Sequence, residues 1–284
     1  MIEVVRAGAL TTVQDLGRPG YAHLGVGRSG AADRASLRLA NRLVGNREGA
    51  ACLEITLGGF VARFAARATI AVTGAACPVT LSGRTAHMHG PVEVRAGDEL
   101  RIGTATRGLR SYLAVRGGID VPPVFGSRST DLLGGVGPGV VRSGSRLTTG
   151  TDTAGLPNVD VAPVPPIPAP ITLPAVPGPR ADWFVAAALD VLGSQPYQVT
   201  TDSNRVALRL SGPRLEHATA RELPTEGMVD GALQVPADGQ PMLLLADHPV
   251  TGGYPVIAVV TSADVGLAGQ LRPGSQVRFS VTPG

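Results

Sequence analysis

The segment Leu243-Leu244-Leu245-Ala246-Asp247 reads as an apolar strand that delivers a carboxylate into the loop His248-Pro249-Val250-Thr251-Gly252-Gly253-Tyr254-Pro255. An acid at a strand end, beside two glycines whose bare backbone lets a ligand approach, has the form of an active-site corner. Upstream, Leu223-Pro224-Thr225-Glu226-Gly227 offers a second acid, and Gly231-Ala232-Leu233-Gln234-Val235-Pro236 a buried-strand amide. Asp247 and Glu226 are therefore the candidate general acid–base pair for work on an amide or lactam, with Tyr254 as a phenolic donor. Gln234, Thr251, Gly252 and Gly253 are the candidate substrate-contacting residues. The plain alternative is a pair of carboxylates that cap turns.

Two further polar clusters lie in loops. In Thr12-Val13-Gln14-Asp15-Leu16-Gly17-Arg18-Pro19-Gly20, an amide, an acid and an arginine share a Gly-Pro loop. Arg18 suits a carboxylate as a bidentate fork, with Gln14 and Asp15 orienting it. Equally, Asp15 and Arg18 could pair and pin the loop. In Gly126-Ser127-Arg128-Ser129-Thr130, hydroxyls flank an arginine, so Arg128 and Ser129 suit an anionic group, although ordinary turns look the same. Gly25-Val26-Gly27-Arg28-Ser29-Gly30 satisfies the dinucleotide pattern but follows no buried strand and opens no strand–helix series, so a loop at a helix start is the better reading. His87 and His89 alternate without a cysteine or carboxylate to complete a metal site, and none is expected.

Composition narrows the chemistry. All 25 positive side chains are arginine; the chain has no lysine. Lysine Schiff bases, a phosphate-loop lysine and covalent biotin on this chain are excluded. The net charge is only +3, the arginines are scattered and aromatic residues are few, which argues against nucleic-acid binding. No run approaches the ~20 apolar residues of a spanning helix, and the start reads as a strand rather than a leader. Cys52, in the apolar run Ala51-Cys52-Leu53-Glu54-Ile55, and Cys77 read as reduced thiols, as expected of a soluble cytoplasmic protein.

Glycine turns punctuate the chain every 8–12 residues or so, the spacing of sandwiches and barrels. Residues 69–73, 111–115 and 257–260 are strand candidates. A turn entering an alternating strand recurs at Arg95–Ile102, Arg142–Leu147 and Arg272–Phe279, in both halves, which suggests two related domains. Two helices stand out, one over Asp33–Val44 stopped by Gly45-Asn46, the other capped by Asp182 and running through Trp183 and Leu192 to Gly193. Pro157, Pro163, Pro165, Pro166, Pro168, Pro170, Pro174, Pro177 and Pro179 crowd one stretch, where missing donors argue against a helix or central strand. The expected organisation is a first domain over 1–152, a linker over 153–179 and a second domain over 180–284, each domain a β-barrel with a plugging helix.

These blocks, in this order, resemble one family: the C-type subunits of bacterial ATP-dependent 5-oxoprolinase, also called allophanate hydrolase subunit 2 or the biotin-dependent carboxyltransferase family, which includes an antagonist of a sporulation-kinase inhibitor. The resemblance rests on Val13–Arg18, Ser29–Asp33, Ala40–Asn46, Gly117–Asp120 and Gly126–Thr130. It continues with Glu226-Gly227, Gln234–Pro236, Asp238–Pro241 and Thr251–Pro255. The resemblance implies a mainly β chain of two tandem cyclophilin-like barrels. It further implies one component of a hydrolase that, with A-type and B-type partners, opens 5-oxoproline to glutamate at the expense of ATP. It leaves two alternatives: carboxyl transfer from a partner's carboxybiotin to an amide nitrogen, or a non-catalytic binding protein that relieves inhibition of a histidine kinase. The sequence departs from the family pattern at Asn204, Ala207, Val141 and Val250.

Overall fold

The computed structural model describes residues 1–219 and 221–282; residues 220, 283 and 284 of the expected second domain lie outside them. Contacts divide the chain into two compact units. Unit 1 comprises Met1–Arg18, Ser29–Asp131 and Gly135–Pro166; unit 2 comprises Pro19–Arg28, Leu132–Gly134 and Ile167–Gly284. No helix among the described residues is long and apolar enough to cross a membrane.

Unit 1 contains β1 (Ile2–Ala7), β2 (Leu10–Gln14), α1 (Arg34–Leu43), β3 (Cys52–Thr56), β4 (Phe60–Phe64), β5 (Ala68–Ala76), β6 (Val79–Leu81), β7 (Arg84–Ala86), β8 (Val92–Val94), β9 (Glu99–Ile102), β10 (Arg107–Val115), β11 (Ile119–Asp120) and β12 (Arg146–Thr149). These strands form a seven-stranded sheet, β11-β12-β1-β4-β9-β6-β7, and a five-stranded sheet, β2-β3-β10-β5-β8. Ile2 and Val4 of β1 point into a core with Leu53, Ile55, Phe60 and Leu113, each large apolar side chain contributing about 1.5–3 kcal/mol. Helix α1 lays Leu37, Ala40 and Leu43 on Ala71, Tyr112 and Ala114. Its start is the expected one: the Ser36 N–H donates to Asp33 Oδ1 at 3.0 Å. Gly45 then takes φ +71°, and the Asn46 N–H donates to Asn41 O.

Unit 2 contains β13 (Ile171–Pro177), α2 (Ala188–Ser194), β14 (Tyr197–Val199), β15 (Ala207–Ser211), β16 (Glu226–Gly227), β17 (Ala232–Gln234), β18 (Met242–Leu244), β19 (Thr251–Gly252), β20 (Val256–Val260), α3 (Val265–Ala268) and β21 (Gln276–Val281). Seven of the strands close a barrel in the order β13-β20-β17-β18-β15-β14-β21, and β16 pairs with β19 in a small separate ribbon. Leu173, Leu210, Leu233, Leu243, Ile257 and Phe279 are fully or almost fully buried in its core. Among the described residues this is the closed barrel, whereas the strands of unit 1 pair in two sheets.

The recurrent turn is one device used three times. Asp98, Ser145 and Ser275 donate their N–H groups to Arg95, Arg142 and Arg272 carbonyls. Each arginine N–H donates in turn to the side chain of that same Asp or Ser. Gly97, Gly144 and Gly274 hold φ of +88°, +85° and +84°, which a side chain would strain. Each glycine N–H also reaches a carbonyl outside the turn, on Phe64, Val4 and Val199 respectively.

Two expectations need correction. Residues 171–177 of the proline-rich stretch form β13, which pairs with both β20 and β21. Its apolar residues alternate inward, Ile171, Leu173 and Ala175, while Pro174 lies on the exposed side and its carbonyl still accepts from Thr261 N–H. A proline removes one donor but leaves the alternation and the acceptor intact. The earlier part of the stretch is bonded within unit 1, where Ala154 and Gly155 donate to Gly45 O and Ala162 to His89 O. The second helix is also shorter than expected. Residues Ala181–Trp183 make a single 3-10 turn, Phe184 is extended and α2 begins only at Ala188. The cause is a cross-strand clamp: Val185 donates to Glu216 O, Ala218 donates to Trp183 O, and Phe184 bridges His217.

Candidate functional site

The loop residues of unit 1 that the sequence read separately come together around Asp15. Its Oδ1 accepts from Gly17 N–H at 2.8 Å, the Ser127 hydroxyl at 2.7 Å and the Ser129 hydroxyl at 2.5 Å. Its Oδ2 accepts from Arg128 N–H at 2.6 Å. Arg18, 1 % exposed, donates to Ser129 O, and its guanidinium lies 3.8 Å from Asp131. Gln14 is wholly buried and donates to Thr12 Oγ1 and Thr130 O. The Arg128 side chain turns away, its Nε donating to Val121 O and its guanidinium 3.6 Å from Asp120. Charge-assisted bonds of this kind fix a loop strongly. Of the two readings of the Asp15–Arg18 loop, the geometry favours pinning: Gln14, Asp15, Arg18 and Ser129 are built into the frame rather than presented to solvent.

Unit 2 treats its acids in the same way. Asp247 is 2 % exposed and forms a two-pronged pair with Arg205: Nε donates to Oδ2 at 2.9 Å and an Nη to Oδ1 at 3.0 Å. Leu132 N–H also donates to Oδ2 at 3.2 Å. The backbone reinforces this, since Asp247 N–H donates to Arg205 O. Asn204, one of the departures from the family pattern, accepts from Val206 N–H and so shapes the turn that presents Arg205. The sequence reading has Asp247 facing the Gly252-Gly253 loop as a general acid–base; the structure turns its carboxylate onto Arg205 and the Leu132 N–H. Both of its oxygens accept from a buried cation, the geometry of an ion pair that holds two segments together.

Glu226 is likewise engaged. Its Oε1 accepts from Arg180 Nε at 2.8 Å and from an Arg180 Nη. That partner holds its carboxyl below the usual carboxylate range, so the pair is present at neutral pH and is lost only as pH falls through the lowered pKa. The residue sits on the β16–β19 ribbon opposite Gly252, where it fastens the ribbon to Arg180.

Two of the remaining candidates, Gly253 and Tyr254, line a cleft in unit 2 of about 1170 Å³. Trp183, Arg214, His217, Arg221, Gly253 and Tyr254 are among the residues that line it. The clamp at 183–185 that shortens the helix is what sets Trp183 in the cleft wall, with the Arg221 guanidinium 5.5 Å from the ring centroid. His217 Nε2 donates to Pro236 O at 3.1 Å, and its ring lies 4.7 Å from Phe184. Buried Gln234 donates to Tyr254 O at 3.2 Å and so fixes the backbone that carries the tyrosine. A Cβ on Gly252 would come within 2.6 Å of that same Gln234 amide, so the close packing there requires glycine. Thr251 is exposed on β19. Tyr254, 49 % exposed, is the expected catalytic residue that opens onto the cleft. Trp183, Arg214 and Arg221 were missed by sequence reasoning, which had placed Trp183 on a helix face.

Comparison with known proteins places this architecture. The family profile described as "Carboxyltransferase domain, subdomain A and B" matches residues 24–281. The chain is 39 % identical over 282 residues to the C-type subunit of the 5-oxoprolinase of Escherichia coli, covering 98 % of this chain and 90 % of that protein. It is 36 % identical to urea amidolyase of Saccharomyces cerevisiae, again over 98 % of this chain but only 16 % of the relative. The crystal structure of the K. lactis urea amidolyase matches with a TM-score of 0.92 at 33 % identity, over 98 % of this chain and 18 % of that one. This chain thus spans less than a fifth of the amidolyases but nearly the whole of the 5-oxoprolinase component. A full-length match at these identities settles kinship: the chain belongs to the carboxyltransferase domain family, subdomains A and B.

Proposed function

We propose that this chain is one component of a cytoplasmic, ATP-dependent enzyme that opens 5-oxoproline to glutamate, working with A-type and B-type partner subunits. The observation that carries this reading is the 39 % identity to the C-type component of a 5-oxoprolinase over 98 % of this chain and 90 % of the relative. A lactam is a stable amide. Transfer of the γ-phosphoryl group of ATP to the lactam oxygen, with release of ADP, makes the ring carbon electrophilic; water adds there, the C–N bond opens to leave an acyl phosphate, and a second water releases phosphate and glutamate. The cleft of unit 2 suits such a substrate. Arg214 and Arg221 offer forks for its carboxylate, Trp183 an apolar face for its ring, and Tyr254 a hydroxyl to protonate the departing ring nitrogen. Its volume of about 1170 Å³ exceeds the ~300–1,000 Å³ of ordinary small-molecule sites, leaving room for a second reactant or a partner's loop. Gly253 lies beside Tyr254 at the cleft, Gln234 supports that wall, and Thr251 and Gly252 carry the adjoining ribbon. Asp247 and Glu226 keep the surrounding frame through their arginine partners.

A second reading is carboxyl transfer to an amide nitrogen, favoured by the TM-score of 0.92 to a urea amidolyase. Because this chain has no lysine, carboxybiotin in that reaction would be carried by another chain.

Trp183 is the only tryptophan in the chain, so its fluorescence reports directly on the cleft. Millimolar 5-oxoproline is expected to change the emission of the wild-type chain, and the Arg221→Ala variant should show that change only at much higher concentration. A response to urea but not to 5-oxoproline would favour the second reading. Emission indifferent to both ligands would contradict the assignment of the cleft.

A further inference from the structure

His217 is held at the cleft of unit 2 in one orientation, and that orientation leaves one ring nitrogen as a bare acceptor. The backbone on either side is tied down: Val185 N–H donates to Glu216 O at 3.0 Å, and Ala218 N–H to Trp183 O at 2.8 Å. The ring is fixed in turn. Phe184 lies 4.7 Å from it, centroid to centroid, and Nε2 stands 3.1 Å from Pro236 O. A carbonyl oxygen can only accept, so the proton of the neutral imidazole sits on Nε2. Nδ1 then carries a lone pair, and no group among the described residues donates to it. The residue is half-buried and lines the cleft together with Tyr254. Glu216, Glu222 and Asp238 line it too, but as exposed side chains, while Asp247 and Glu226 are engaged by arginines. A base oriented through its second nitrogen is the arrangement in which an imidazole serves proton transfer.

Resting on the lactam reading of this cleft, we propose that His217 is the general base of the reaction and Nδ1 the atom that takes a proton from the attacking water. As the water oxygen bonds to the phosphorylated ring carbon, one of its protons passes to Nδ1. The imidazolium so formed keeps its Nε2 bond to Pro236 O, now a charge-assisted one. When the C–N bond breaks, Tyr254 gives its proton to the ring nitrogen. Its phenolate takes the remaining water proton from the hydroxyl that becomes the acyl carbonyl. The imidazolium then discharges onto the released amine. The product ammonium holds the original ring N–H proton and both water protons, and His217 and Tyr254 return to their starting states. One acid and one base, in different surroundings at the same cleft, divide the two transfers.

The test uses His217→Gln, which keeps a side-chain N–H for Pro236 O but has no atom that takes up a proton near neutral pH. The variant should melt as wild type does and keep the response of Trp183 emission to 5-oxoproline. In the assembled enzyme its kcat is expected to fall at least ~10²-fold, the scale of a lost general base, with KM little changed. Long-range nitrogen–proton NMR on the wild-type chain, labelled at histidine, supplies a second reading that does not depend on the variant's folding. It should show His217 with its proton on Nε2, and a proton on Nδ1 instead would overturn the proposal. A His217→Gln enzyme that turns over within a few-fold of wild type, or that shows only a raised KM, would overturn the base and leave the lactam reading standing. A wild-type assembly that releases no glutamate would overturn that reading, and the base assignment with it.

Discussion

Asp247→Ala is expected to destabilise the chain by about 3–5 kcal/mol, the usual cost of removing one member of a buried ion pair. The cost comes from what is left behind. Arg205 is 2 % exposed and its Nε and one Nη both donate to Asp247, so the truncation leaves a guanidinium charge in the protein interior. It also leaves Leu132 N–H without the acceptor it uses. In a thermal melt this corresponds to a fall on the order of 10 °C. The double variant Arg205→Met/Asp247→Leu should recover much of the loss, because two apolar side chains of similar volume need no charge compensation. Turnover per folded molecule, assayed below the lowered midpoint, should remain near wild type. An Asp247→Ala chain that melts normally but has lost turnover would return Asp247 to acid–base duty.

Tyr254→Phe is expected to show the opposite pattern. The phenol stands on a backbone fixed by Gln234 and is 49 % exposed at the cleft, so losing its hydroxyl should leave the melting temperature unchanged. Because that hydroxyl is proposed to donate its proton to the ring nitrogen as the C–N bond opens, turnover by the assembled enzyme should fall about 10²-fold. The KM for the lactam should change much less, since the interaction strengthens in the transition state. A KM effect with normal kcat would mean that Tyr254 only lines the site.

The local elements were largely readable from the sequence. The span of the first helix from Asp33, its Gly45-Asn46 stop and the three glycine turns depend on neighbours a few residues apart, and each was identifiable from spacing. The loops were readable as polar loops but not as one cluster, because Asp15 meets Ser127 and Ser129 across more than a hundred residues. Asp247 shows the same limit. Its strand and its acid were evident, yet the arginine that takes up its charge lies 42 residues away, and nothing in the spacing ties the two. Proline density misled at β13, where counting missing donors gave less information than the inward alternation of Ile171, Leu173 and Ala175. Trp183 was placed on a helix because Asp182 is a plausible cap; the long-range clamp to 216–218 overrode that local preference.

The most direct test of the proposed activity is glutamate release from 5-oxoproline by this chain combined with its purified A-type and B-type partners. Release is expected to require ATP, to be lost when this chain is omitted and to be restored when it is added back. Release that proceeds equally well without this chain, or an assembled complex that leaves 5-oxoproline intact while carboxylating urea at the expense of a partner's carboxybiotin, would contradict it.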